Sequence, residues 1–385
     1  MISTYTQASP VVFGVDAINQ IAEKAKDLGG SRALCIYDQG VKITGMADRI
    51  IKLLNDAGIE TVVYEGVKPD PTNEAVDAAG LFARDSHVDI IIGIGGGSTL
   101  DTAKCVAVLN DNPLPITQYW ASLGKKYEMK TPLILVPTSS GTGSEVTMIA
   151  AIIDLKTHIK EAVVKPGNLA IVDPALTLTV PPHITAATGM DALSHAVESY
   201  TTNCTNPRSD VLALEAIKLI AQNLEKATRN GSDLEARTQL SLASNFAGIS
   251  FGDASVHFGH ALGHEFGGVF HLPHGAACAL TIPEVLVFAA DTIPERIINI
   301  GKAFGLDFPA NTTSLQAAEL IAEKVRKLLK AVGIKSLKEL GISRADAVSC
   351  AKGAVENNWF VSCAVKEVNV DVMAGLIEKI YDNFQ

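Results

Sequence analysis

Histidines are concentrated in one short stretch of this chain. Five of the nine histidines fall within 18 residues, where random placement would put fewer than one. These five are His257, His260, His264, His271 and His274. The first three are spaced i, i+3 and i+7, which predicts that they lie along one face of a helix. We expect Gly267 and Gly268 to end that helix and His274 to lie in the loop that follows.

A second pair of residues with metal-ligand chemistry lies about 70 residues earlier. Asp191 and His195 are four residues apart on a predicted helix, so their side chains point the same way. A carboxylate with two or three imidazoles is a donor set suited to Fe(II) or Zn(II). Taken alone, Asp191 and His195 could equally be two residues on an exposed helix face. Together with the histidine cluster, they favour a shared metal site.

A glycine-rich loop follows a predicted buried strand at residues 88–94. The loop consists of Gly95, Gly96, Gly97 and Ser98, and a helix is predicted to begin directly after it. Glycines at this place let backbone N–H groups and the positive end of the helix dipole reach a phosphate. The dinucleotide fingerprint is incomplete because Ser98 stands at its third glycine position. A tight turn without a ligand explains this loop alone equally well.

A second polar loop follows another predicted strand and favours a dinucleotide ligand. Residues 138–145, which include Thr138, Ser139 and Thr142, are glycines and hydroxyl residues that end at a glutamate. Two such loops in one sheet suit an extended phosphate ligand. Asp38, which ends the first strong strand, could bind a ribose diol and repel a 2′-phosphate, favouring NAD over NADP. An ordinary turn aspartate is the alternative for Asp38.

The elements that position these residues divide the chain into two halves. In the first half, apolar strands alternate with helices, which predicts a parallel sheet covered on both faces. From about residue 185, long segments with helical apolar spacing dominate, and the pair Pro181 and Pro182 marks the change. We therefore predict an α/β domain at residues 1–182 and an all-α domain at residues 183–385. A cleft between two domains is a common place for a ligand.

The composition excludes several classes of protein. The net charge is −10, and no run of Lys or Arg exceeds two residues, so a nucleic-acid partner is not expected. Apolar runs such as residues 285–290 are far shorter than the roughly 18 residues of a membrane span. The N-terminus shows no secretory signal, and the six cysteines form no C-x-x-C pair. These features predict a cytoplasmic protein of enzyme size with no membrane partner.

Four motifs follow one another along the chain. They are Gly95-Gly96-Gly97-Ser98-x-x-Asp101-x-x-Lys104, residues 137–147 (PTSSGTGSEVT), Gly189-Met190-Asp191-Ala192-x-x-His195-Ala196-x-Glu198, and His260-x-x-x-His264 with Pro273-His274-Gly275. In these motifs and their order, the chain resembles the iron-containing (group III) alcohol dehydrogenases over nearly its whole length.

This resemblance implies a fold and a set of site residues. The fold is an N-terminal dinucleotide-binding α/β domain with a parallel sheet and an all-α metal- and substrate-binding domain, as in iron alcohol dehydrogenases and dehydroquinate synthase. His264 takes the place of a histidine near the nicotinamide and substrate, and Phe251 and Ile149 those of pocket residues. The metal ligands fall on Asp191, His195, His260 and His274. The cofactor-binding residues fall on Asp38, Asp70, Gly95, Gly96, Gly97, Ser98, Asp101, Thr138, Ser139, Thr142 and Lys160.

The resemblance also implies a reaction: reversible hydride transfer between NAD(H) and a small primary alcohol, a diol or the corresponding aldehyde. The expected metal is Fe(II), with Zn(II) as the alternative, and the expected assembly is a homodimer or larger homo-oligomer. A glycerol dehydrogenase-like polyol oxidoreductase remains an alternative, as does a non-catalytic scaffold. A dehydroquinate synthase-like lyase is disfavoured, because residues 185–200 and 257–277 contain no Lys or Arg for an anionic substrate.

Overall fold

The computed structural model describes residue 3 and residues 5–384, which fall into two compact units. The sheet unit consists of residues 6–139 and 143–179. The helical unit consists of residues 140–142 and 180–384, together with the described residues 3 and 5. The outer ends of the predicted domains, residues 1 and 385, lie outside the described residues.

The sheet unit contains eight strands among the described residues. They are β1 (Val11–Phe13), β2 (Arg32–Asp38), β3 (Glu60–Val67), β4 (Ile90–Gly95), β5 (Leu133–Pro137), β6 (Ile149–Ile153), β7 (Lys160–Val164) and β8 (Leu169–Val172). Six of them pair in parallel, in the order β1-β8-β5-β4-β2-β3, whereas β6 and β7 form an antiparallel pair. This confirms the predicted parallel sheet.

Helices cover both faces of the parallel sheet. The helices of this unit are α1 (Ile21–Asp27), α2 (Gln39–Ile43), α3 (Met46–Asp56), α4 (Asn73–Asp85) and α5 (Gly97–Asp111). On one face, Ile92 of β4 belongs to the same buried cluster as Ile50 of α3. On the other, Ile91 belongs to a cluster with Ala103 of α5. Every residue of β4 and β5 is buried, which explains their continuous apolar sequences.

The pair β6 and β7 was not predicted from the sequence, nor were the short strands β1 and β8. Both strands of the pair are only partly buried, and Lys160 and Glu161 open β7. The charged start of β7 breaks the apolar run that identified the central strands, whereas β6 (Ile149–Ile153) is apolar throughout and was overlooked. This hairpin nevertheless carries two of the predicted site residues, Ile149 and Lys160.

The helical unit confirms the predicted all-α character of the C-terminal part. Its helices are α6 (Pro182–Thr201), α7 (Pro207–Arg229), α8 (Leu234–Ala254), α9 (Phe258–Phe270), α10 (His274–Ala279), α11 (Ile282–Ala289), α12 (Pro294–Ala303), α13 (Ser314–Ala331), α14 (Arg344–Ser349), α15 (Ala351–Glu356) and α16 (Val370–Asn383). Helix α6 is central: every one of its residues from Gly189 to Thr201 is buried. None of the described helices has the combination of length and apolar character that a bilayer span requires.

Two expectations about the histidine-rich segment were wrong. Gly267 and Gly268 do not end helix α9, which continues to Phe270. Glycine lowers helix stability by about 1 kcal/mol relative to alanine, which is too little to end a helix by itself, and Phe270 beyond the two glycines packs against the core of the helical unit. The helix ends where His271 adopts a left-handed backbone conformation with φ of 56°. His274 does not lie in a loop either, because it is the first residue of α10.

Candidate active site

Three helices of the helical unit bring together four side chains that could hold a metal ion. Asp191 lies on α6, His260 on α9, and His274 and Cys278 on α10. One donor atom from each of the four lies within 4.8 Å of the others. Asp191 Oδ1 is 3.9 Å from His260 Nε2 and 3.6 Å from His274 Nε2. Three of the four predicted ligands are therefore neighbours.

Two glycines allow these helices to approach one another closely. A Cβ atom on Gly275 of α10 would collide with the carbonyl oxygen of Ala187 and with Asp191 on α6. A Cβ atom on Gly263 of α9 would collide with Cys278. Because neither position has a side chain, α10 packs closely enough to place His274 and Cys278 next to Asp191 of α6 and His260 of α9.

The fourth predicted ligand, His195, lies beside this group. Its ring stacks on His260 with centroids 4.5 Å apart and on Phe251 with centroids 4.2 Å apart. Burial lowers the pKa of the His195 imidazole well below its ordinary value, so the ring is neutral and able to donate a lone pair. Its Nδ1 atom is buried and has no hydrogen-bond partner among the described residues. Phe251, a predicted pocket residue, thus lies against a predicted ligand.

Glu198 orients His260. The Glu198 carboxylate is buried and accepts hydrogen bonds from Nδ1 of the His260 ring and from the backbone N–H groups of His257 (2.8 Å) and His260 (3.2 Å). This leaves His260 Nε2 buried and without a hydrogen-bond partner among the described residues. A carboxylate on the far nitrogen is the usual support for a metal-binding histidine. Sequence reasoning assigned Glu198 no role, although it lies two helical turns after Asp191.

The charges around His260 favour a cation. Burial alone would raise the pKa of the Glu198 carboxyl, but His260 and His257 outweigh it and lower that pKa below its usual value. Burial alone would lower the pKa of His260, but Cys278 and Glu198 outweigh it and raise that pKa well above its ordinary value. The carboxylates of Asp191 and Glu198 are both buried next to His260. Two buried carboxylates beside an imidazole nitrogen form a polar environment that fits a divalent metal ion.

His264 lies one turn after His260 on α9. Its Nδ1 atom is 3.1 Å from Asn358 Oδ1, and the Asn358 amide in turn donates to the carbonyl of Ala354. The amide oxygen therefore faces His264, whose Nδ1 is the donor and whose Nε2 is left as an acceptor. The ring also contacts His274 and Phe360, with centroids 5.2 and 5.6 Å apart. Sequence reasoning did not identify Asn358 or Phe360.

The remaining two clustered histidines have other surroundings. His257 is buried, and its Nε2 atom lies 2.9 Å from the hydroxyl of Thr201. His271 is exposed at the end of α9. Neither residue belongs to the group of four neighbouring donors.

The two predicted cofactor loops are neighbours in the sheet unit. Gly97 is the first residue of α5 and Gly96 its N-cap, directly after β4. Thr138, which follows β5, donates its backbone N–H to the carbonyl of Gly95 at 3.0 Å. A Cβ atom on Gly96 would lie 3.2 Å from Ser139 Oγ. The start of α5 therefore presents backbone N–H groups next to two hydroxyl side chains, an arrangement that suits a phosphate.

Asp38 lies at the same edge of the sheet. Its Oδ1 atom accepts a hydrogen bond from Val41 at 2.9 Å, and its Oδ2 atom lies 3.3 Å from the hydroxyl of Thr99. The carboxylate is thus held between the end of β2 and the first turn of α5. An acidic side chain at the end of a strand and beside the start of a helix can accept hydrogen bonds from a ribose diol.

Three other predicted cofactor residues contact one another. The backbone N–H of Asp70 donates to Ser98 Oγ at 3.3 Å, and Lys160 donates to Asp70 Oδ1 at 2.9 Å. These contacts bring the hairpin residue Lys160 to the first turn of α5, although it is 62 positions later in the sequence.

Asp101 is engaged within the protein. Its carboxylate accepts hydrogen bonds from Ser144 Oγ (2.6 Å) and from the N–H of Ala151 (3.0 Å). Lys104, which is fully buried, donates to Ser144 Oγ (2.9 Å) and to the carbonyl of Ile149 (2.7 Å). Together they fasten α5 to residues 144–151, and sequence reasoning assigned Lys104 no role.

The two remaining predicted residues are Ile149, whose backbone carbonyl accepts from Lys104, and Thr142. The side chain of Ile149 is 40% exposed on β6, so it is available to a ligand. Thr142 belongs to the helical unit, unlike Thr138 and Ser139. The second polar loop is therefore divided between the two units.

Comparisons with known proteins agree with this geometry. The family model "Iron-containing alcohol dehydrogenase" matches residues 8–174, and "Fe-containing alcohol dehydrogenase family, C-terminal" matches residues 185–381. The chain is 37% identical over 352 residues to a 1,3-propanediol dehydrogenase of Citrobacter freundii, covering 90% of each protein.

Two solved structures share the whole fold. A crystal structure of 1,3-propanediol oxidoreductase superposes with a TM-score of 0.93 at 32% identity, covering 99% of this chain and 100% of that one. A sulfoacetaldehyde reductase from Bifidobacterium kashiwanohense, solved in complex with NAD+, gives a TM-score of 0.89 at 27% identity and covers 99% of both chains.

The role of Glu198 can be tested by removing its charge. Because its carboxylate holds the His260 ring, Glu198→Gln should lower the affinity for Zn(II) or Fe(II) roughly 10–100-fold. Competition with a chromophoric chelator measures this affinity. Glu265→Gln, which changes a partly buried glutamate on the same helix as His260, is the control and should leave it unchanged. Equal affinities in the wild type and Glu198→Gln would contradict this role.

Proposed function

Because the chain belongs to the iron-containing alcohol dehydrogenase family, we propose that it transfers hydride reversibly between NAD(H) and a small primary alcohol or diol. The products of oxidation are the corresponding aldehyde and NADH. The observation that carries the proposal is the donor set on α6, α9 and α10, which is buried except for the partly exposed His274, with His260 oriented by Glu198. The similarity to 1,3-propanediol dehydrogenase supports including diols.

The proposed metal ligands are Asp191, His195, His260 and His274, and the proposed metal is Fe(II), with Zn(II) as the alternative. When bound, such a metal supplies a Lewis acid that lowers the pKa of the alcohol hydroxyl and favours hydride loss from its carbon. The protein contributes imidazoles held in place and one carboxylate, and of these donors Asp191, His195 and His260 are buried, whereas His274 is 30% exposed.

The proposed cofactor site lies at the carboxyl edge of the parallel sheet. Backbone N–H groups at the start of α5 bind the diphosphate, and Asp38 binds the adenosine ribose. Asp70 contacts both Ser98 and Lys160, and Asp70 and Lys160 lie where they can contact the rest of the cofactor. Asp101 acts indirectly, by fastening α5 to Ser144. The remaining proposed contacts are Gly95, Gly96, Gly97, Thr138, Ser139 and Thr142.

We assign His264 the transfer of the alcohol proton. With Nδ1 bound to Asn358, its Nε2 atom can accept a proton, and the ring is only partly buried, which gives it a route to solvent. Phe251 and Ile149 are the proposed pocket residues, and their apolar side chains suit a short carbon chain. We also propose a homo-oligomer of two or more subunits in the cytoplasm, as the sequence resemblance implied.

The direct test of this function follows NADH formation with a panel of primary alcohols and diols, before and after chelation. We expect activity to disappear when the metal is removed and to return on reloading with Fe(II) or Zn(II). Full activity after verified metal removal would contradict the proposal, as would the absence of NADH formation with every alcohol.

Asp38 should set the choice of cofactor. Removing its charge in Asp38→Gly should raise the NADP-to-NAD ratio of kcat/KM roughly tenfold, since like charges a few ångströms apart repel by on the order of 1–4 kcal/mol. Asp38→Asn removes the charge but keeps an oxygen that can accept the hydrogen bond from the N–H of Val41. It therefore distinguishes the effect of the charge from the effect of losing the cap of helix α2. Asp56→Asn, an exposed aspartate of α3, is the control. A wild type that uses NADP as well as NAD would refute the assignment.

His260 should be indispensable for the metal but not for the cofactor. We expect His260→Ala to lose alcohol oxidation and most of its bound metal, because the remaining donors lack the side chain that Glu198 orients. NAD binding should persist, since the glycine-rich loop, Thr138 and Ser139 belong to the sheet unit. Metal analysis and fluorescence titration with NADH measure the two effects, with the exposed His271→Ala as control. Full metal occupancy in the His260→Ala variant would show that His260 is not a metal ligand.

His264 should affect the rate without affecting the metal. His264→Ala should retain the metal yet lose rate by about 10²–10⁴-fold, the usual contribution of acid–base assistance. His257→Ala and His271→Ala should have smaller effects. Metal content and kcat of the three variants decide the matter: a metal-free His264→Ala protein would make His264 a ligand, and unchanged kinetics would make it a packing residue.

A further inference from the structure

One donor in the group of four has no place in the proposed ligand set. Cys278 is buried on α10, one helical turn after His274, so its thiol points to the same side of that helix. Its Sγ atom lies 3.8 Å from either ring nitrogen of His274. The four-residue spacing is the same as that between the predicted ligands Asp191 and His195.

The distances between these donors match those around a bound metal ion. Around a metal ion with bonds of about 2.0–2.3 Å, neighbouring donor atoms are about 2.8–3.8 Å apart, whether four or five donors bind. Here Asp191 Oδ1 lies 3.6 and 3.9 Å from the Nε2 atoms of His274 and His260, and Cys278 Sγ lies 3.8 Å from His274. Only small side-chain movements separate these positions from a coordination shell.

A second observation points to a ligand at the same place. The side chain of His260 is 3% exposed, and its Nε2 atom faces the group without a hydrogen-bond partner among the described residues. A buried imidazole nitrogen with nothing to bind costs free energy unless a ligand occupies the position. The thiol of Cys278 is a neighbour of this nitrogen, since their donor atoms lie within 4.8 Å.

The surroundings of Cys278 place its sulfur at the site. Gly263, between His260 and His264 on α9, has no side chain, and a Cβ atom there would occupy the space of the Cys278 sulfur and backbone. A metal binds cysteine as the thiolate, so the thiol proton goes to solvent as the sulfur–metal bond forms, and no electron is transferred.

We propose that Cys278 is a sulfur donor to the metal of this site, alongside the aspartate and the histidines, and that it shifts metal preference from Fe(II) towards Zn(II) and Co(II). Thiolate is a soft ligand that Zn(II) accepts readily, whereas sites built from carboxylate and imidazole alone discriminate less. The inference rests on the proposed function, because it concerns the same metal site.

Cobalt provides a reporter for sulfur ligation. Apoprotein titrated with Co(II) should show ligand-field bands in the visible and a sulfur-to-cobalt charge-transfer band in the near ultraviolet. Cys278→Ser, which is nearly isosteric, should lose the charge-transfer band and keep the visible bands. Cys350→Ser, a buried thiol elsewhere in the helical unit, is the control and should keep both. The ratio of Zn(II) to Fe(II) affinity should fall about tenfold or more in Cys278→Ser only.

X-ray absorption of the Zn(II)-loaded wild type gives an answer that does not depend on a variant folding correctly. We expect one sulfur atom at about 2.3 Å from the zinc, which is the usual zinc–sulfur bond length. Visible bands without a charge-transfer band, or zinc without a sulfur neighbour, would overturn the role of Cys278 and leave the proposed function intact. A protein that binds no Co(II) at all would overturn the metal site and the inference together.

Discussion

The buried carboxylate of Glu198 is the interaction on which the metal centre depends. It accepts hydrogen bonds from two backbone N–H groups at the start of α9 and from the ring of His260, so one side chain fixes both the helix and its ligand. A buried charge is tolerated only when its oxygens are satisfied in this way. Gly259 makes the contact possible, because a Cβ atom there would collide with Glu198 and Thr281.

The regular parts of the fold were predictable from local sequence. The apolar runs of β4 and β5 indicated a buried parallel sheet, and the spacing of Asp191 and His195 placed them on one face of α6. In the same way, the spacing of His260 and His264 predicted that both lie on one helix, and both belong to α9. The end of α9 was not predictable, because glycine weakens a helix without ending it, and the contact of Phe270 with the core lies beyond Gly267 and Gly268. Helix α10 has only six residues, too few for a periodic pattern to show.

The contacts that orient the site join residues far apart in the chain, so local patterns do not reveal them. Glu198 and His260 are 62 positions apart, and His264 and Asn358 are 94. In the sheet unit, Lys104 meets Ser144 and Ile149, 40 and 45 positions later. Burial lowers the pKa of Lys104, and Asp101 and Glu145 oppose this shift. This polar network holds the first turns of α5, where the phosphates are proposed to bind.

An anomalous difference map from crystals loaded with Fe(II) or Zn(II) tests the central claim most directly. That claim is that α6, α9 and α10 assemble one metal site around His260. The account predicts a single strong peak within about 2.0–2.3 Å of Asp191, His260 Nε2 and His274. A peak elsewhere, with these three side chains outside bonding distance, would contradict it.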